Sequence, residues 1–204
     1  MTYSMNTQVT EPKLIQLIRP AVGLTLVGLL VCGFSYSSVA TGLGQVLFPN
    51  QANGSMLVEN QKIVGSKLVA QAFVGDQYFY ARPSAVHYDV MALAGSNLAR
   101  TNPKLSKIID ERRALISTRE HVAIDKIPSD IVTSSGSGID PEISPAAAQL
   151  QVNRVAQARH LSIDQLNEIV KVHTQGPTFG LLGQARVNVL ELNLALDRLH
   201  TSAK

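Results

Sequence analysis

The chain has 204 residues and a mass of 22.0 kDa, enough for one ordinary domain plus an appendage and too little for two large domains or a complete transport machine. Eighteen Lys and Arg against fifteen Asp and Glu leave a net charge of +3, too nearly balanced for a nucleic-acid surface. One cysteine, Cys32, excludes an internal disulfide framework and a cysteine-rich metal site, and the lack of tryptophan argues against an aromatic-lined groove.

From the amino terminus, the first feature is an uncharged stretch. No Asp, Glu, Lys or Arg occurs between Arg19 and Glu59, and residues 21–48 are mostly apolar or small. As a helix this run would measure roughly 42 Å at about 1.5 Å per residue, more than the roughly 30 Å hydrocarbon core, which predicts one tilted membrane crossing. Residues 1–20 then form a short cytoplasmic segment, because Lys13 and Arg19 lie just before the span while Lys62 and Lys67 come well after it. Within the span, Gly33, Ser37 and Thr41 recur at intervals of four and line one ridge on which a partner helix could pack, although small residues are also frequent in membrane helices generally. Ser38-Val39-Ala40 fits a small-x-small cleavage pattern, so release after Ala40 is the alternative. Retention is preferred, since the leader is long for a signal and hydrophobicity resumes at Leu43, Val46, Leu47 and Phe48.

Residues 49–204 have the size and charge of a single extracytoplasmic soluble domain, of α+β class with a helical C-terminal half. Short apolar pieces at 56–58, 63–64, 67–74 and 78–80 read as strands or irregular extended chain. Pro103 after Asn102, followed by apolar residues at helical spacing, predicts a helix over 103–117. Residues 118–127 are charged and mixed, and 128–138 form a Ser- and Gly-rich loop that joins subregions. Ser144-Pro145 opens a helix ending near Arg159, and Ser162 with Gln165 forms a capping-box pattern for the next, whose apolar stripe includes His173. Residues 176–183 are a loop. For 187–199, Leu190, Leu192, Leu194 and Leu196 alternate as a strand would, yet length and Leu/Ala/Glu content favour a helix, which is the expectation taken.

Motifs for phosphate loops, nucleophile elbows, zinc helices and calcium loops are missing, as is Asp-Lys-Thr-Gly, the phosphorylation sequence of P-type pumps. Ser84, His87 and Asp89 supply the residue types of a hydrolase triad, but closeness along the chain is no evidence of a spatial triad. His173 reads as a hydrogen-bonded core imidazole, and His87, His121, His160 and His200 lack metal-type spacing, so no metal is assigned. Ser134-Ser135-Gly136-Ser137-Gly138 could present amides to an anion, with a flexible connection as the stronger reading. Leu182-Gly183-Gln184 is a weak fragment of the ATP-binding-cassette signature.

Several phrases together resemble the C subunit of the Kdp-type potassium-transporting ATPase: Arg19-Pro20, Leu47-Phe48-Pro49-Asn50-Gln51-Ala52-Asn53-Gly54-Ser55, Tyr78-Phe79-Tyr80-Ala81-Arg82-Pro83-Ser84-Ala85, and Gly95-Ser96-Asn97-Leu98. Others are Thr101-Asn102-Pro103, Ser135-Gly136-Ser137-Gly138-Ile139-Asp140-Pro141, Ile143-Ser144-Pro145, Gln151-Val152 with Arg154-Val155-Ala156, and Arg186-Val187-Asn188-Val189-Leu190 with Leu192-Asn193. The sequence departs from the family pattern with Ser37 after Tyr36 where proline is common, Ala99-Arg100 for Gly-Pro, Glu142 for histidine, His160 for glycine, and Gln184-Ala185 for Glu-Pro.

This resemblance implies a non-catalytic accessory subunit of an ATP-driven potassium uptake pump, single-pass in the bacterial inner membrane. Its partners would be a P-type ATP-hydrolysing subunit, a channel-like potassium-binding subunit and membrane lipid, with no nucleic acid. It would assist assembly and raise the hydrolytic subunit's affinity for ATP, or cap the channel-like subunit. No tightly bound cofactor is expected, ATP entering only through the complex. Residues expected at partner or nucleotide contacts are Arg82, Ser135, Gly136, Ser137, Gly138, Asp140, Arg186 and Asn188, with turn formation as the competing role of the Ser-Gly loop and an ion pair as that of Arg82 and Asp140. The alternative function is an exported binding protein or hydrolase released after Ala40.

Overall fold

In a bilayer, backbone polar groups must be paired within the segment that crosses it, and a helix does this without help. A computed structural model describes residues 13–59 and 61–202, in two compact units that part after Gly54. The first unit is dominated by one helix, Leu14–Leu47, whose most apolar window has a mean hydropathy of 2.0 and buries none of its length within the unit. It consists of α1 (Leu14–Gly28), a π-helical stretch (Leu29–Ser35) and α2 (Tyr36–Leu47), with no break between them. The helix begins seven residues before the expected 21, because Pro20 does not stop it. Having no N–H, Pro20 interrupts the ladder yet is carried inside α1. In the π-helical stretch the bonds run i→i+5, as where Tyr36 N–H donates to the Val31 carbonyl. Phe48 precedes a proline, which disfavours helical backbone; it leaves the helical region at φ −137°, and Pro49 opens a single turn, α3 (Pro49–Ala52).

The second unit, Ser55–Lys204, mixes helices with small sheets. Strands β1 (Met56–Glu59) and β2 (Lys62–Ser66) form an antiparallel hairpin, Glu59 opposite Lys62 and Met56 opposite Ser66, with a bulge between Leu57 and Val58. The sequence left 67–74 and 78–80 open between strand and irregular extended chain, and the structure puts neither in a strand: 67–69 turn back on Ser66, whose carbonyl accepts the Val69 N–H at 3.1 Å, and the remainder is irregular chain. Helix α4 (Pro103–Glu120) starts where the Asn102 carboxamide oxygen accepts the Lys104 N–H at 2.9 Å. It runs three residues beyond the expected 117 and stops at His121, which is left-handed at φ 54°. A 3-10 turn (Ile124–Lys126) and β3 (Glu142–Ile143) lead to α5 (Pro145–Arg159), capped by Ser144, whose Oγ accepts the Ala147 N–H at 3.0 Å. His160 ends α5 in a left-handed conformation at φ 56°, the place where the family pattern has glycine. Helix α6 (Ile163–Val172) carries the expected Ser162/Gln165 capping box.

Strands β4 (Thr174–Gln175) and β5 (Arg186–Asn188) follow, and a three-stranded antiparallel sheet forms in the order β3-β5-β4. The last helix, α7, spans Val189–Ser202. The expected helix from 187 is therefore corrected at its start, because Val187 and Asn188 belong to the central strand. From Val189 on, helical periodicity wins over the leucine alternation: Val189, Leu192, Asn193 and Leu196 are buried, spaced as one helix face. The core gathers Phe79, Ala147, Val152, Val155, Leu166 and Leu192 under these helices.

Segment 78–80 is not in a sheet because side chains replace its strand partner. Phe79 N–H donates to Asn193 Oδ1 at 2.9 Å and the Asn193 amide nitrogen donates to the Phe79 carbonyl at 2.9 Å. Gln151 does the same for Tyr80, accepting its N–H at 2.8 Å and donating to its carbonyl at 3.2 Å. Both amides are fully buried and stand on helices, so two side chains satisfy four backbone groups, those of Phe79 buried and those of Tyr80 half-buried.

Candidate functional site

Three of the residues singled out from the sequence converge. Arg82 Nη1 meets Asp140 Oδ2 at 2.9 Å, while Arg186 Nε meets Glu142 Oε1 at 2.9 Å across the β3–β5 pair. Arg82, Asp140, Glu142 and Arg186, with Asp130, Ser144 and Gln184, line a cavity of about 290 Å³. Local turns aim the carboxylates: Asp140 Oδ1 accepts the Glu142 N–H at 3.0 Å and Asp130 Oδ2 the Ser144 N–H at 2.7 Å. Arg82 Nε is buried with no acceptor among the described residues. Such an orphan donor costs about 1–3 kcal/mol. The lining carries three carboxylates and two guanidiniums, a surface suited to polar contact with a partner.

The other singled-out residues do not join them. Asn188 is buried, its Oδ1 accepting the Glu191 N–H at 3.0 Å at the start of α7 and its amide nitrogen donating to the Lys67 carbonyl at 2.8 Å. Ser135 is buried and its Oγ accepts the Gly138 N–H, while Ser137 Oγ accepts the Ile139 N–H, so hydroxyls of the loop take up its own amides. Gly136 and Ser137 are exposed. Gly138 sits at φ +76°, where a Cβ would come within 2.5 Å of Val86 Cγ2 and 2.7 Å of the Ala94 carbonyl oxygen. The loop thus packs tightly on residues 86–95. Ser84 Oγ accepts the Val86 and Tyr88 N–H groups and Asp89 Oδ1 accepts the Met91 N–H, with no hydrogen bond joining Ser84, His87 and Asp89 among the described residues. His173 Nδ1 lies 2.8 Å from the Ile169 carbonyl oxygen, so the imidazole is hydrogen-bonded as its stripe predicts, but it is half-buried at the end of α6 and not in the core. It borders a second cavity, of about 330 Å³, with Leu57, Glu191 and Arg198.

Sequence reading missed an arginine–tyrosine cluster. Glu120, fully buried at the end of α4, receives Arg119 Nε at 2.6 Å and Arg154 Nε at 3.0 Å. Arg154, only 8% exposed, also donates to the Asp76 and Tyr78 carbonyls at 2.7 and 2.9 Å, and both guanidiniums lie over the Tyr80 ring at 4.4 and 4.5 Å. Arg159 repeats the pattern over Tyr78, at 5.1 Å, while pairing with Asp197 at 2.7 Å. Beside this cluster, burial raises the Tyr88 phenol above its ordinary value, Arg112 opposing the shift, and burial lowers the Arg112 guanidinium. The arginines could have been suspected from the Arg154-Val155-Ala156 phrase; their convergence could not.

The 176–183 loop is a hairpin closed by a Thr178–Leu182 bridge, with Gly180 and Gly183 left-handed. Its tip presents Phe179 at 90%, Leu181 at 87% and Leu182 at 64% exposure. No charged side chain occurs between Lys171 and Arg186. In the membrane unit, the Ser37 hydroxyl donates back to the Gly33 carbonyl, placing those two residues of the small ridge on one face, and a Cβ on Gly33 would meet nothing within 4 Å.

Comparison with known proteins agrees with the sequence resemblance. The family model described as KdpC, the K+-transporting ATPase c chain, matches residues 18–198. The potassium-transporting ATPase KdpC subunit of Xanthomonas campestris pv. campestris strain B100 is 49% identical over 181 residues, covering 89% of this chain and 87% of that relative. The subunit of the same description from Shewanella putrefaciens is 50% identical over 176 residues, covering 86% of this chain and 88% of the relative. That of Acidobacterium capsulatum is 45% identical over 185 residues, covering 90% and 98%.

Proposed function

Because the chain belongs to the KdpC family of K+-transporting ATPase c chains, we propose that it is a non-catalytic subunit that holds and tunes the pump's other polypeptides. In this reading the helix Leu14–Leu47 spans the bacterial inner membrane with its amino terminus in the cytoplasm, and Ser55–Lys204 lies outside. The Gly33, Ser37 and Thr41 ridge packs on a partner helix, and the cavity of Arg82, Asp140 and Arg186 meets a partner's polar surface. The partners are the P-type ATP-hydrolysing subunit and the channel-like potassium-binding subunit.

The observation that carries this reading is the hairpin tip. Three large apolar side chains held in water by a glycine-pinned turn are stable in isolation only at a cost, which a partner surface removes. ATP is cytoplasmic, so a domain outside the membrane acts on ATP affinity through the conformational equilibrium of its neighbours and not by touching the nucleotide. The magnitudes suffice: burying one Phe or Leu contributes about 1.5–3 kcal/mol, and a tenfold change in affinity needs about 1.4 kcal/mol. Docking of the tip in one pump state and not the other would therefore raise ATP affinity several-fold or more.

The test is copurification in mild detergent from cells expressing the whole pump, followed by ATP hydrolysis at graded ATP. The native chain brings down both partners. The Phe179→Ser/Leu181→Ser/Leu182→Ser variant loses them or raises the KM for ATP. Failure of the native chain to recover either partner would overturn the assignment.

A further inference from the structure

A third cavity, of about 270 Å³, is lined by Tyr80, Tyr88, Arg112 and Arg119 together with Ala81, Pro83, Leu115, Ile116 and Ile131. Its polar lining consists of donors and phenols and its other walls are hydrocarbon. Arg112 is the one partly buried Lys or Arg of the second unit that has no carboxylate within ion-pair distance among the described residues; Lys67, Arg82, Arg113, Arg119, Arg154, Arg159 and Arg186 all have one. Its hydrogen bonds go to the Val132 carbonyl at 3.0 Å and to Ser134 Oγ at 3.2 Å, neither of which bears charge.

The charge count around the cavity makes the same point. Of the two guanidiniums that line it, Arg119 is paired with Glu120, a carboxylate it shares with Arg154, so the charge of Arg112 alone is left unanswered among the described residues. Partly desolvated positive charge without a counter-ion is unfavourable, and the lowered pKa of Arg112 reports that desolvation. What the cavity lacks is one negative group that a guanidinium fork can grip. Its hydrocarbon walls suit a carboxylate on a short apolar stem better than a phosphate, because the other donors of the lining are already engaged, the Tyr80 phenol with the Gly75 carbonyl, the Tyr88 phenol with the Arg82 carbonyl and Arg119 with Glu120. Leu115, 61% exposed on α4, offers apolar contact to the residues that flank such a side chain.

We infer that the cavity between α4 and the Tyr80–Tyr88 segment receives an aspartate or glutamate side chain from another subunit of the pump, with Arg112 as its counter-ion. The inference rests on the accessory-subunit reading and deepens it by naming an interface pocket and the chemistry of its occupant. Truncating one member of a buried interfacial charge pair weakens binding by roughly 30-fold or more, so Arg112→Gln should lower recovery of partners by that order.

The decisive experiment is made on the assembled complex carrying Arg112→Lys, treated with a water-soluble carbodiimide that joins an amine to a touching carboxylate. Peptide mass spectrometry is expected to find an amide between position 112 and an Asp or Glu of another polypeptide, absent with Arg112→Gln. Butanedione labelling of the unsubstituted protein gives a readout that needs no variant: Arg112 reacts in the isolated chain and is protected in the complex. Copurification with equal labelling in both states, or a link only to carboxylates of this chain, overturns the inference while leaving the accessory reading standing. An Arg112-dependent rise in melting temperature with inorganic phosphate, without the cross-link, also overturns it, since a small free anion would then be the occupant. Failure to recover any partner overturns the reading and the inference together.

Discussion

The paired amides predict a specific loss. In Asn193→Leu the volume of the side chain is nearly kept, but the Phe79 N–H and carbonyl both lose their partner at a site from which water is excluded. Each orphaned backbone group costs about 1–3 kcal/mol, or about 2–6 together. Leucine recovers about 1–2 kcal/mol by removing a buried amide, which leaves a net destabilisation centred on about 2.5 kcal/mol. For a domain of this size that lowers the melting temperature by about 5–10 °C. The control is Gln149→Leu, which removes an exposed amide bonded to Asn167 and should change stability by less than about 0.5 kcal/mol. Thermal melts of the detergent-solubilised chain followed by tyrosine circular dichroism give the first number. Hydrogen exchange at the Phe79 amide gives the second, and it should accelerate more than exchange at Tyr80, which Gln151 still holds. A melting temperature within a degree or two of the parent, or unaltered exchange at Phe79, would refute the reasoning that the amides stand in for a strand.

Three further outcomes are expected. Glu120→Gln leaves Arg154, only 8% exposed, without its carboxylate and should destabilise by about 3–5 kcal/mol, read as a shift in urea midpoint at constant slope. His160→Gly relieves a left-handed side-chain residue at the end of α5 and should raise the melting temperature, with a gain of up to about 1 kcal/mol; a fall would show that the imidazole itself contributes. Burial holds the Tyr88 phenol protonated above its ordinary pKa near 10, so the unfolded chain binds fewer protons there and stability declines as pH rises from about 10 through the folded value. Tyr88→Phe should flatten that decline while losing about 1 kcal/mol with the hydrogen bond to the Arg82 carbonyl, a difference that urea titrations at pH 8 and above roughly pH 10 resolve.

Much of the fold was legible in local signals. The uncharged run predicts the membrane helix, and Asn102-Pro103, Ser144-Pro145 and Ser162 with Gln165 mark helix starts to the residue, because a cap acts on backbone groups two or three positions away. The helix starts that hydropathy misplaces are those at 14 and 189: the apolar run begins at 21 but the helix extends back through Pro20 and Arg19, and Val187 belongs to a strand whose partners lie at 143 and 174. The sequence points to Arg82, Asp140 and Arg186, and folding brings them to one cavity, whereas Asn188 and Ser135 are buried, the one capping α7 and the other holding the Ser-Gly turn.

Composition, hydropathy and capping chemistry thus determined by themselves that an apolar peg precedes an α+β domain. Only tertiary packing decided that Asn193 would serve as a strand partner for Phe79 across 114 positions, that Glu120 would answer two arginines, and that Arg112 would meet no carboxylate among the described residues. The reason is physical. Helix caps and hydropathy act over a few residues of chain, whereas the partner of a buried polar group is whichever group folding brings within about 3 Å, and sequence spacing does not encode that distance.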